Sequence, residues 1–119
     1  MRPRLTRLAD EDIAEILAET LHRFGPNQFG LYADLIQKSL DLLADDPFAL
    51  TTVPRDALAP GLRMLALGRL AWRRDAAAHC VYYVLPLPGR RAETVVLRVL
   101  HERMEPAAWL SRGFDEMAS

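Results

Sequence analysis

The sequence predicts an α+β domain: an N-terminal strand, then an antiparallel helical hairpin packed on a mainly antiparallel sheet, in the order β-α-α-β-β-β, with room for a short C-terminal helix. Three observations carry this. Apolar residues recur at helical spacing in two successive stretches of the first 44 residues. Three later stretches alternate or run apolar at strand length. A Gly-Pro pair, Gly25–Pro26, separates the two helical stretches, so neither can continue into the other undisturbed.

Residues 2–8, RPRLTRL, read as a short strand, and Pro3 places its start at a sheet edge or among a strand's first residues. ADEDIAEILAETLHRFG then reads as a helix. Asp10 suits its N-cap, and Glu11 and Asp12 suit the positive end of its dipole. Ile13, Ile16, Leu17, Leu21 and Phe24 form its apolar face. A second helix is expected from about Pro26 to Ala44, with Tyr32, Leu35, Ile36, Leu40 and Leu43 facing the core. Gly30 costs that helix roughly 1 kcal/mol against alanine, a cost that a close approach of two helix backbones would explain. So short a connection makes the two helices antiparallel.

Residues 45–61 hold Pro47, Pro54, Pro60 and Gly61 and read as irregular, packed down by Phe48, Leu50, Val53 and Leu58. Three strands follow, over 62–70, 79–85 and 94–101. In the first, Leu62, Met64 and Ala66 face one way and Arg63, Leu65 and Leu67 the other. Tyr82 and Tyr83 likewise face opposite sides of the second strand. PLPGRRA reads as a hairpin loop, and AWRRDAAA as a longer connection.

At 119 residues, half of them hydrophobic, with a net charge of −1, the chain suits one folded domain over 1–119 and not a disordered segment. The lone Cys80, in the apolar run HCVYYVL, reads as a small core residue. Basic residues near the start lack the continuous apolar stretch of a signal peptide, and no apolar run approaches membrane-spanning length. The expectation is a soluble cytoplasmic protein. Charge is uneven: residues 1–50 carry five basic residues against nine acids, and residues 51–119 carry ten arginines against seven acids. An arginine-rich half suits an acidic partner, because guanidinium binds carboxylate or phosphate in a bidentate way.

The chemistry-bearing residues exclude more than they propose. His22, His79 and His101 are far apart, and HERME lacks the second histidine of a helical zinc motif. No metal or cofactor is expected. No Gly-x-Ser-x-Gly elbow is present; Ser39 falls on a helix and Ser111 near the end. RNA cleavage remains open: Arg63, Arg69, Arg98 and Arg103 could supply charge from the sheet, with Tyr82 or Tyr83 stacking bases or carrying protons.

The pattern ADEDIAEILAET…FG…Y…L…LADDP, then PGLRML, HCVYYV and VVLRVLHERMEP, resembles the ParE branch of the RelE/ParE toxin superfamily, from about residue 5 to residue 110. The resemblance implies the same strand–helix–helix–three-strand order. It implies the toxin of a type II toxin–antitoxin module that poisons DNA gyrase without being an enzyme. It also implies a cognate, ParD-like antitoxin with a ribbon-helix-helix DNA-binding domain and an acidic tail, so that DNA is met only through the antitoxin and no membrane is involved. The RelE branch, of ribosome-dependent mRNA endonucleases, uses a tyrosine near the C-terminus; here none follows Tyr83. The alternatives are such an endonuclease, or a degenerate, non-toxic module that still binds antitoxin. The residues expected at the antitoxin or target surface are Arg63, Arg69, Tyr83, Arg98, His101 and Arg103.

Overall fold

A computed structural model describes residues 3–71, 77–85 and 93–118. Five strands form one mixed sheet: β1 (Arg4–Leu5), β2 (Thr52–Pro54), β3 (Leu62–Ala66), β4 (His79–Val84) and β5 (Val95–His101). Their order across the sheet is β1-β5-β4-β3-β2. All neighbours are antiparallel except β1, which runs parallel to β5. Two helices are assigned, α1 (Arg7–Asp45) and α2 (Pro106–Ala118).

The expected pair of helices is found as one assigned helix, α1, broken at a single residue. Gly25 has φ 87° and ψ 179°, far from helical values, and Pro26 follows it. A straight helix of 39 residues would measure ~58 Å, whereas the longest dimension of the molecule is 44 Å. The break therefore bends α1, and both arms reach the same core: Ile16 before the break joins Leu35, Ile36, Leu40 and Leu43 after it. Glycine is required at this point because a left-handed φ costs any residue with a Cβ.

The helix also starts earlier than Asp10. Thr6 is its N-cap, accepting from Ala9 N at 3.0 Å. Its hydroxyl in turn donates to the Leu97 carbonyl at 2.7 Å. The first strand is accordingly two residues, not seven. Leu21 and Phe24, assigned from periodicity to the apolar face, are exposed at 46% and 66%. Gly30 marks no close approach, since a Cβ there would meet nothing within 4 Å.

The sheet separates two apolar layers. Facing α1 lie Leu65, Val81, Tyr83, Val96 and Val99. Facing α2 lie Leu62, Cys80, Tyr82, Val84, Val95, Leu97 and Leu100, with Leu110 from α2 itself. The alternation read from LRMLALGRL and the opposed facing of Tyr82 and Tyr83 are both present. A register shift between Tyr82 and Tyr83 resets the phase along β5, so that Val99 returns to the α1 layer. Strands covered on both faces read as continuous apolar runs, as β4 and β5 do.

The stretch 45–61 is not wholly irregular, because it contains β2, an edge strand where Pro54 is tolerated. Nor is it packed down throughout: Leu50 is 98% exposed and Phe48 63%, while Leu58 joins the α2 layer. The strand beginning at Leu62 stops at Ala66 and gives way to a 3₁₀ turn, Leu67–Arg69. Met104 packs against the α2 layer. Pro106 opens α2, whose first position suits proline because its missing N–H would have no helical partner. PLPGRRA and most of AWRRDAAA lie outside the described residues. Among the described residues, no helix is long and apolar enough to cross a membrane.

Candidate partner-binding site

At one end of the sheet the first residue of β4, His79, lies directly opposite the last residue of β5, His101. Their rings meet edge-to-face with centroids 5.3 Å apart. Tyr32, from the second arm of α1, makes a similar contact with His79 at 5.7 Å, and its hydroxyl shares a hydrogen bond with His79 Nδ1 at 2.5 Å. Parity explains the meeting. His79 is two residues before Val81 and so shares the α1 side of the sheet. Tyr32 is one helical turn before Leu35 and Ile36 and so shares their face. Polar atoms are tolerated here because the apolar layer is ending.

Burial pushes the Tyr32 hydroxyl up to about 12, so it keeps its proton. Burial, and then the positive field of His101, hold His79 below the ordinary histidine value. The Nδ1 of His101 accepts the backbone N–H of Arg103 at 3.1 Å, which shapes the turn after β5.

Beside this trio opens a cleft of about 320 Å³, lined by Ala66, Gly68, Arg69, Ala77, His79, Cys80 and Glu102. Burial, and then the negative field of Glu102, push the Cys80 thiol up. A thiol so held is a poor nucleophile. No group of three or more metal-ligating side chains occurs among the described residues.

The six residues singled out from sequence separate into two sets. Arg69, His101 and Arg103 gather at this end of the sheet, with Arg69 and Arg103 exposed. Arg63, Tyr83 and Arg98 are held in interior networks. Arg63 donates to Tyr83 Oη at 3.3 Å and to Thr52 Oγ1 at 2.9 Å, and it stacks over Phe48 at 5.1 Å. Tyr83 is fully buried, and its hydroxyl donates to the Pro47 carbonyl. Arg98 is buried against Asp12 and Trp109. Sequence reasoning did not place His79 at this surface. The signal for His79 was the strand register, and a single sequence does not print which residue of β5 stands opposite it.

Two comparisons of the sequence bear on what the chain is related to. The model of a family described as "ParE toxin of type II toxin-antitoxin system, parDE" matches residues 4–106. The chain belongs to this ParE toxin family. The protein "Toxin ParE1" of Caulobacter vibrioides (strain ATCC 19089 / CIP 103742 / CB 15) is 32% identical over 111 residues, covering 92% of this chain and 99% of that protein. The ParE match takes in the whole sheet, α1, and the Tyr32–His79–His101 trio. It ends at Pro106, where α2 begins. In this ParE chain, α2 therefore covers the second sheet face with residues beyond the family match.

Proposed function

We propose that this ParE-family chain is a single-domain cytoplasmic toxin that inhibits DNA gyrase by binding rather than by catalysis. A cognate, ParD-like antitoxin with a ribbon-helix-helix DNA-binding domain and an acidic tail neutralises it. Family membership over residues 4–106 is the observation that carries this reading. The fate of the sheet arginines supports binding over RNA cleavage. Arg63 and Arg98, from which an endonuclease would draw cationic charge, are committed to Tyr83, Thr52 and Asp12. An arginine so engaged is not free to neutralise a phosphorane. Arg69, His101 and Arg103 are the members of the expected surface that remain at the rim.

A gyrase supercoiling assay with the purified chain tests the proposal. The expected result is inhibited supercoiling or accumulated cleaved DNA, relieved by the antitoxin encoded beside the gene. Unimpaired gyrase together with blocked translation in a parallel assay would replace this reading with an mRNA endonuclease. Normal growth on expression of the chain alone would replace it with a non-toxic binding module.

A further inference from the structure

Arg69, His79 and Glu102 line one cleft. Arg69 has no ion-pair partner among the described residues, unlike Arg7, Arg23 and Arg98. An exposed guanidinium and a half-buried imidazole lining one cleft offer hydrogen-bond donors that suit a carboxylate.

We propose that this cleft seats one carboxylate of the antitoxin's acidic tail, held by the Arg69 guanidinium and the His79 imidazole. The proposal rests on the reading of this chain as an antitoxin-bound toxin, and it names the contact through which the tail is recognised. The Tyr32 hydroxyl, which keeps its proton, shares a hydrogen bond with His79 Nδ1. With Nδ1 engaged, Nε2 is the ring nitrogen left for a ligand, and a protonated imidazole donates from it. The ~320 Å³ of the cleft is at the small end of ligand sites, which run from about 300 to 1,000 Å³. It therefore suits an inserted side chain rather than a packed helix.

Glu102 makes the seat selective. Its carboxylate lines the same cleft, so a second incoming acid would meet like charge. The groups acting on His79 are Tyr32, Asp12 and Glu19 of α1, His101 at the end of β5 and Glu102 just after it, while Arg69 of the 3₁₀ turn lines the same cleft. A seated carboxylate favours the protonated imidazole. Binding therefore draws a proton onto His79, and the complex tightens as pH falls from 8 to 6.

Calorimetric titration of the full chain with the tail peptide of the antitoxin encoded beside its gene tests this. Arg69→Glu is expected to weaken binding by about tenfold or more, the size of loss usual for a charge made repulsive at an interface. Glu102→Gln is expected to tighten it, since it removes the opposing carboxylate. His79→Gln is expected to flatten the dependence on pH. Arg4→Glu serves as the control: Arg4 is exposed and pairs with Val95, at the far end of β5 from His101. Binding weakened equally by Arg69→Glu and Arg4→Glu would overturn the seat while leaving the antitoxin reading intact, as would weakening by Glu102→Gln. A wild-type chain that binds neither the peptide nor the whole antitoxin would overturn that reading, and the seat with it.

Discussion

The carboxylate of Asp12 grips the guanidinium of Arg98 through two hydrogen bonds, 2.8 Å from Nε and 2.7 Å from Nη2. The same carboxylate accepts the backbone N–H of Val99 at 3.0 Å. This joins the first turns of α1 to β5 where the sheet edge would otherwise be bare. β1 pairs only with Val95 and Val96. Beyond them, Thr6 takes the Leu97 carbonyl and Asp12 takes Val99 N–H. Two side chains thus continue an edge that a two-residue strand cannot cover.

Breaking this pair from one side is expected to be costly. Both side chains are nearly buried, at 7% and 11% exposure for Arg98 and Asp12. Asp12→Ala leaves an uncompensated buried charge and an unpaired N–H, and it should cost about 3–5 kcal/mol. Replacing both partners, as in Asp12→Leu with Arg98→Met, should cost much less. Urea denaturation of the two variants checks this, and equal losses in the single and double variants would refute the account.

Thr6 serves α1 and β5 at once, as acceptor from Ala9 N and donor to Leu97 O. Thr6→Ala should therefore lower stability by about 1–2 kcal/mol, the upper range for losing an N-cap. Thr6→Ser keeps the hydroxyl and should recover most of that loss. The midpoints of thermal unfolding rank the three proteins.

Two glycines in helices should respond to alanine with opposite signs. A Cβ on Gly113 would lie 3.1 Å from the Leu97 carbonyl oxygen and 3.2 Å from its Cβ. Backbone cannot yield as a flexible side chain can, so Gly113→Ala should lift α2 from the sheet at a cost of about 1–3 kcal/mol. A Cβ on Gly30 meets nothing within 4 Å. Gly30→Ala should stabilise α1 by up to about 1 kcal/mol. Chemical denaturation of the two variants gives the comparison.

Two titrations follow from the Tyr32–His79 contact. The folded His79 resists a proton that the unfolded chain accepts near the ordinary value of 6.5. Its contribution to stability is therefore fully present above about pH 6.5 and declines as pH falls below it. Denaturation from pH 8 to pH 5 should show a slope that His79→Gln reduces. In the alkaline direction, the Tyr32 phenol should ionise only near 12. Its ultraviolet absorbance step at that pH should vanish in Tyr32→Phe.

Much of the fold was legible because it follows from local patterns. The alternation over Leu62–Leu67 and the apolar runs of β4 and β5 placed three strands. The spacing of Ile13, Ile16, Leu35, Ile36, Leu40 and Leu43 placed the core face of α1. Failures came where a local signal competed with a distant partner. Asp10 is a good N-cap by type, but Thr6 takes the position because its hydroxyl also reaches Leu97. Leu21 and Phe24 keep the helical period, yet they sit next to the bend at Gly25, where α1 no longer faces the sheet core. β2 went unread because three residues with a proline carry little strand signal.

By itself, the sequence determined the α+β class, the separation of Tyr82 from Tyr83, and the resemblance that the family match upholds. Periodicity is a property of neighbouring residues, and so it survives without coordinates. Only the tertiary structure decided which arginines are committed inward and which remain at the rim. Arg98 finds Asp12 across 86 residues of chain, and His79 finds His101 through strand register. Such pairings depend on which distant backbones pack together, and composition along the chain does not record that.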